Sequence, residues 1–187
     1  MNLKELVESY NNSPAIIDFN HQKAHYENLR SIEEAIDNAC FGMYKVNGLT
    51  FFCDHFKYAF EEIITLYDAR TILLENIEIL RNSNNFHALY NVIGNLILKV
   101  KGIGSLLHYD ITLRIGYYLR LSPTKVYCQR GALWGYGNLK GVDLREHDKV
   151  VLERIDLINN YPSLNLLSAH EIENFFCVYD KELKNIK

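Results

Sequence analysis

Apolar positions recur along most of this chain at intervals of three and four residues, the period of an amphipathic helix. Phe52, Phe56, Ala59, Ile63, Leu66, Leu73, Ile77 and Leu80 form one such stripe, which predicts one long helix or two in tandem, and the polar run "RNSNN" ends it. Phe86, Leu89, Ile93, Leu96 and Val100 form the next stripe, and Leu107, Ile111, Ile115 and Tyr118 another. Helix start signals agree with this pattern. Ser13-Pro14 places a cap before a proline in the first turn. Ser31 with Glu34, Asp143 with Glu146, and Ser168 with Glu171 have the spacing of capping boxes. Ser122-Pro123 predicts a further short helix, and Asn47-Gly48 marks a turn. Only "FFCD" and "KVYCQ" read as short strands, and neither alternates cleanly with a partner nearby. The fold class expected is therefore all-α: a single-domain helical bundle over residues 1–187, without an internal repeat, low-complexity tract or dividing linker.

Composition fits that body. The chain has 187 residues, 48% hydrophobic and 23% charged, and a domain of this size buries roughly 70% of the surface that its unfolded chain exposes. Cys40, Cys53, Cys128 and Cys177 lie far apart with no C-x-x-C pair, which argues against a zinc ribbon or a disulfide framework and for reduced thiols. No apolar run reaches the ~18 residues of a membrane helix, and charges interrupt "MNLKELVESYNNSP" where a signal peptide would be apolar. A cytoplasmic, membrane-free protein is the expectation.

Charge distribution changes the picture. Net charge is −3, which speaks against a general polyanion binder. Yet Asn95 to Lys140 holds seven cations (Lys99, Lys101, Arg114, Arg120, Lys125, Arg130 and Lys140) against one anion, Asp110, a net of +6, leaving −9 on the remainder. The chain thus reads as an acidic helical body over 1–94 followed by a basic region over 95–141, a distribution that steers polyanions to one segment.

Within the basic region, "KVKGIGSLLHYD" sets Gly-Ile-Gly between two helical stretches. Gly102 suits the positive φ required just past a helix, Gly104 permits a tight reversal, and Ser105 is placed to cap the next helix. Ile103 is an apolar anchor beneath the crossing. Such a hairpin presents backbone N–H groups, and the positive end of a helix dipole, to an anion such as phosphate. The plainer reading is a tight helix–helix connection that merely uses glycines.

"VKGIGSLLHYDITLRIG" resembles the helix-hairpin-helix motif of DNA repair glycosylases, ligases and nucleases. The hairpin pattern, apolar-x-Gly-apolar-Gly, falls on Val100, Lys101, Gly102, Ile103 and Gly104. The following "HYDITLRIGYYLRLSPTKVY" also resembles stretches of uncharacterised bacterial proteins. The likeness covers about 20 of the 187 residues. It implies contact with a DNA backbone, and it also implies what is missing. Leu106 stands where bifunctional glycosylases carry a lysine, and the window Leu121 to Val126, where their catalytic aspartate would fall, has no carboxylate.

Other constellations have plain explanations. Asp110 and Arg114, four apart, predict an intrahelical ion pair; beside a phosphate site, Asp110 or His108 would also suit a metal or a base. His21 and His25 share a helix face at a spacing that metal sites use, without the H-E-x-x-H motif. Glu27, Asp54 and His55 would be their further ligands only if the fold brought them near. Gln129 to Gly141, "QRGALWGYGNLKG", suits base stacking through Trp134, but the favoured reading is a glycine-dotted helix packed against a neighbour with Trp134 in the core. Asp143, Glu146 and Asp148 fit caps and surface charge.

The function expected is non-sequence-specific binding of a DNA or RNA backbone without glycosylase chemistry. Lys99, Lys101, Gly102, Ile103, Gly104, Ser105, Arg114, Arg120, Lys125, Arg130 and Trp134 are the candidate contacts. No catalytic residue, metal ligand or cofactor is assigned. Two alternatives stand beside it. One is an enzyme acting on nucleic acid or nucleotide near Asp110 or Gln129–Gly141. The other is a protein-interaction or homo-oligomerisation module that uses the 13 tyrosines and 9 phenylalanines.

Overall fold

The computed structural model describes residues 1–53, 63–144 and 150–186, and these are mostly helical with two small two-stranded sheets. By their internal contacts they form two compact units, Phe19–Ser122 and Met1–Asp18 with Pro123–Lys187.

The first unit carries most of α2 (Pro14–Glu27), then α3 (Ile32–Cys40), β1 (Met43–Val46), β2 (Leu49–Phe52), α4 (Ile63–Glu75), α5 (Ile77–Arg81), α6 (Phe86–Ile97) and α7 (Ser105–Tyr118). The β1–β2 hairpin turns on Asn47 and Gly48, whose φ values of 51° and 81° are both positive. That is the signature of a primed turn, for which Asn-Gly is the preferred pair. Tyr26 on α2 fixes the hairpin by donating to the Met43 carbonyl at 2.7 Å. At the core, α7 lies against α3 and α6, and α4 against the same two helices. Ile32, Ile36, Leu66, Leu73, Leu89, Ile93, Ile97, Ile111 and Ile115 fill it, none of them reached by solvent.

Helix α7 is the surprise of this unit. A single apolar stripe along it predicts one buried face. Instead all ten residues from His108 to Tyr117 are buried. Some of its polar side chains find partners within the helix: Thr112 Oγ1 donates to the His108 carbonyl at 2.7 Å, and Arg114 and Asp110 pair at 3.6 Å.

The second unit comprises α1 (Leu3–Asn11), β3 (Lys125–Cys128), α8 (Arg130–Lys140), β4 (Val150–Glu153), α9 (Arg154–Asn160), a 3-10 turn (Pro162–Leu166), α10 (Ala169–Val178) and α11 (Asp180–Leu183). Strands β3 and β4 pair antiparallel, Lys125 opposite Glu153 and Cys128 opposite Val150. Helices α8 and α10 pack so closely that α8 needs its glycines. A Cβ on Gly131 would lie 2.6 Å from Cys177 Sγ, and one on Gly135 would lie 2.0 Å from the Phe176 carbonyl oxygen. This is the packed-helix reading of the glycine-rich stretch, with one difference: Trp134 is 46% exposed, outside the core.

Several sequence expectations meet local corrections. Ser122-Pro123 leads into the strand Lys125–Cys128 and not into a helix, since Val126 and Tyr127 favour extended backbone. The strand expected at "KVYCQ" is present over Lys125–Cys128, and that expected at "FFCD" overlaps the strand Leu49–Phe52 only at Phe51 and Phe52, Asp54 lying outside the described residues; each strand has a partner that sequence spacing had not revealed. The long stripe over 52–80 includes strand residue Phe52 and two helices divided at Asn76; Phe56 and Ala59 lie outside the described residues. Ser31 caps α3 by accepting from the Glu34 amide at 3.2 Å, but Glu34 answers to the Arg30 amide instead of completing the box. Ser168 and Glu171 form the full box of α10. Asp143 is described, whereas its proposed partner Glu146, and Asp148, are not.

The Gly135 contact generates a test. Gly135→Ala sets a methyl group against rigid backbone, and overpacking of that kind costs about 3 kcal/mol. Urea unfolding should show the variant losing that much, while Gly141→Ala, where a Cβ meets nothing but φ is +69°, should lose about 1 kcal/mol.

Candidate nucleic-acid interface

The hairpin sits between α6 and α7 in the first unit. Helix α6 stops at Ile97, one turn earlier than the stripe ending at Val100 suggests. The chain then turns through residues 98–104, with the Val100 amide donating to the Ile97 carbonyl and the Ile103 amide to that of Val100, at 3.0 and 3.1 Å. Gly102 has φ +94°, a conformation that excludes most side chains. Ile103 is buried beneath the turn, and Thr65 of α4 donates to the Lys101 carbonyl at 3.0 Å, holding the loop from the other side.

The residue that caps α7 is Gly104 and not Ser105, which is the first residue of the helix. The Gly104 carbonyl accepts from the His108 amide at 3.0 Å. With no side chain at the cap, there is no cap oxygen to satisfy the amides of the first turn. Gly104 and Ser105 are both exposed, and the space where a Gly104 Cβ would sit is empty to 4 Å. Lys99 and Lys101 lie within the turn, exposed and without an ion pair among the described residues.

Packing behind the turn fixes this geometry. His108, at the end of the first turn of α7, is buried and donates Nε2–H to the Tyr90 carbonyl of α6 at 2.8 Å. Its ring lies 4.0 Å from that of Tyr90, centroid to centroid. A Cβ on Gly94 would fall 2.9 Å from His108 Cε1, so a glycine is what lets the imidazole in.

The remaining candidate cations are engaged differently. Arg114 is buried against Asp110. Burial works against its charge, but the neighbouring Cys53, Asp110 and Tyr26 outweigh that, and its pKa is raised. Arg120 adopts φ +61° just beyond α7; its amide and that of Leu121 donate back to Tyr117 and Gly116 at 3.2 and 2.8 Å, closing the helix. Its guanidinium holds the Glu27 carboxylate at 3.2 Å and the Glu27 carbonyl at 2.7 Å.

Lys125, Arg130, Trp134 and Lys140 belong to the second unit. Lys125 pairs with Glu153 across the β3–β4 ladder at 2.5 Å. Arg130 is exposed at the start of α8 with φ +35°. Lys140 lies 5.6 Å over the Tyr136 ring. The basic region of the sequence is thus shared between two units, and the hairpin unit carries its own part of it.

Elsewhere, His21 is exposed, while burial lowers the pKa of His25 and Asn38 meets its Nε2 at 3.0 Å. His55 lies outside the described residues. Among the described residues no three His, Cys, Asp or Glu side chains form a metal-binding group, and no helix is long and apolar enough to cross a membrane. The apolar stripe of α6 drew attention only to its buried side. The exposed side carries His87, Asn91 and Asn95 at successive turns, a period as readable in the sequence as the apolar one.

The Asp110–Arg114 pair makes a prediction. Asp110→Ala leaves a buried guanidinium without its carboxylate and should lower unfolding free energy by about 3–5 kcal/mol. Replacing both partners, Asp110→Leu with Arg114→Met, should restore most of that loss in urea titrations.

The chain matches no family model, no curated protein and no solved structure.

Proposed function

We propose that this protein binds the backbone of nucleic acid, DNA in the first instance, through the α6–α7 hairpin and without sequence preference. One observation carries the reading: the first turn of α7 opens on an exposed glycine cap, three residues after Lys101, and Lys99 and Lys101 are exposed without an ion pair among the described residues. Amides of Ser105, Leu106 and Leu107 are the donors, the helix dipole adds positive potential, and a phosphate oxygen is the complementary acceptor. Lys99 and Lys101 supply the charge. Ile103, buried, holds the loop in shape.

This footprint is smaller than the charge of the sequence suggests. Arg114, Arg120 and Lys125 already hold carboxylates of their own units. The electrostatic contribution therefore comes from about two phosphates, and log K should fall with log salt at a slope of about −2. A slope of −5 or steeper would mean that the paired arginines engage the ligand after all.

Binding of a fluorescent DNA duplex and of a single strand, followed by anisotropy across salt, is the test. Lys101→Glu with Gly102→Ala should abolish binding while the circular dichroism of the fold is kept. Absence of binding by the wild-type protein at ~50 mM salt, where two phosphate contacts are at their strongest, would make Gly-Ile-Gly a structural turn and nothing more.

A further inference from the structure

We propose that the exposed side of α6 extends the nucleic-acid footprint: the carboxamides of Asn91 and Asn95 bind the same strand whose phosphate the hairpin holds. This rests on the nucleic-acid reading above and adds to it an uncharged contact row.

Asparagine is a poor residue for the interior of a helix. Elsewhere in this protein it stands mostly where helices end. Asn12, Asn28, Asn76 and Asn160 lie at or just past the C-termini of α1, α2, α4 and α9. Each donates its Nδ2 to the carbonyl four residues back, at 2.7 to 2.9 Å. Asn91 and Asn95, like Asn20 of α2, lie within a helix, are exposed, and have no side-chain hydrogen-bond partner among the described residues; what sets the pair apart is that they stand one turn from each other on the helix that leads into the hairpin. Their donor and acceptor atoms are open to a ligand, and alanine at either position would favour the helix more.

Their placement gives them a ligand. One turn separates them, about 6 Å along the axis, which spans about two nucleotides at 3.4 Å each. One more turn leads to exposed Leu98 and Lys99, so the row runs without a break into the hairpin. Charge complementarity favours a polyanion. From Ile79 to Ser122 the only carboxylate in the sequence is Asp110, and it is buried. No negative charge of this stretch opposes a phosphate chain lying along α6. Neutral carboxamides donate to phosphate and sugar oxygens or to base edges, and they release no counterions in doing so.

That last property separates the row from the lysines. In anisotropy titrations of the full chain with a labelled DNA duplex, Asn91→Ala/Asn95→Ala should weaken binding about tenfold, for two lost hydrogen bonds, with the salt slope unchanged. Lys99→Glu/Lys101→Glu should lose both affinity and slope. The asparagine variant should melt no lower than wild type, because alanine is the better helix former, so weakened binding cannot be laid to unfolding. Wild-type affinity in the asparagine variant, with binding lost in the lysine variant, would overturn the contact row and leave the hairpin site standing. A changed salt slope in the asparagine variant would also overturn it, since the effect would then run through the lysines. A wild-type protein that binds no duplex at low salt would overturn the hairpin reading and the row together.

Discussion

The approach of α6 to α7 at Gly94 and His108 is the constraint on which the hairpin depends. The His108 imidazole occupies the space that a side chain at position 94 would need, bonds to the Tyr90 carbonyl and lies over the Tyr90 ring. This fixes the separation and rotation of two helices joined by only the residues 98–104. Ile103 below the loop and Thr65 beside it remove the remaining freedom. The direction in which the first amides of α7 point is therefore set by packing and not by a capping side chain. Preorganisation of that kind is what lets a few backbone donors hold an anion without first ordering a loop.

The same helix shows why charge in a sequence is a poor map of charge on a surface. Arg114 counts as a cation along the chain, yet it is buried with Asp110 and spends its charge inside the fold. Arg120 closes the end of α2 through Glu27, and Lys125 is matched across a strand pair. What a polyanion would meet at the hairpin, among the described residues, is two exposed lysines without an ion pair. A field built on two charges is modest.

Much of the fold was legible, because helix periodicity and capping chemistry are local. The α3 start at Ser31, the α10 box at Ser168 and the Asn47-Gly48 turn each follow from two to four adjacent residues. What was not legible depends on partners distant in sequence. Strand Lys125–Cys128 needs Val150–Glu153 to exist, and nothing near it announces that pairing. The full burial of α7 is likewise a consequence of its place between neighbours, which turns Arg114 from a candidate surface contact into a core residue. The hairpin was readable in its glycines, but not the identity of its cap. Ser105 has the chemistry for capping, and the helix begins one residue too early for it to serve.

Glycine plays opposite parts in the two units, and the difference bears on function. In α8, Gly131 and Gly135 are demanded by their surroundings: any side chain would strike Cys177 or the Phe176 backbone. At position 102 the backbone demands it, through a positive φ. Gly104 answers to neither. Its φ of −93° and ψ of 179° are open to every residue, and the space around it is empty. A serine or aspartate there would cap α7 through its side chain, with the aspartate also opposing the lysines. Glycine at a cap sacrifices only a few tenths of a kcal/mol relative to those residues. With glycine there, no cap side chain covers the first amides of the helix. A position where neither packing nor backbone requires glycine, and where local stability is better served by another residue, is an inconsistency of the kind found at functional sites, and the proposed phosphate contact would account for it.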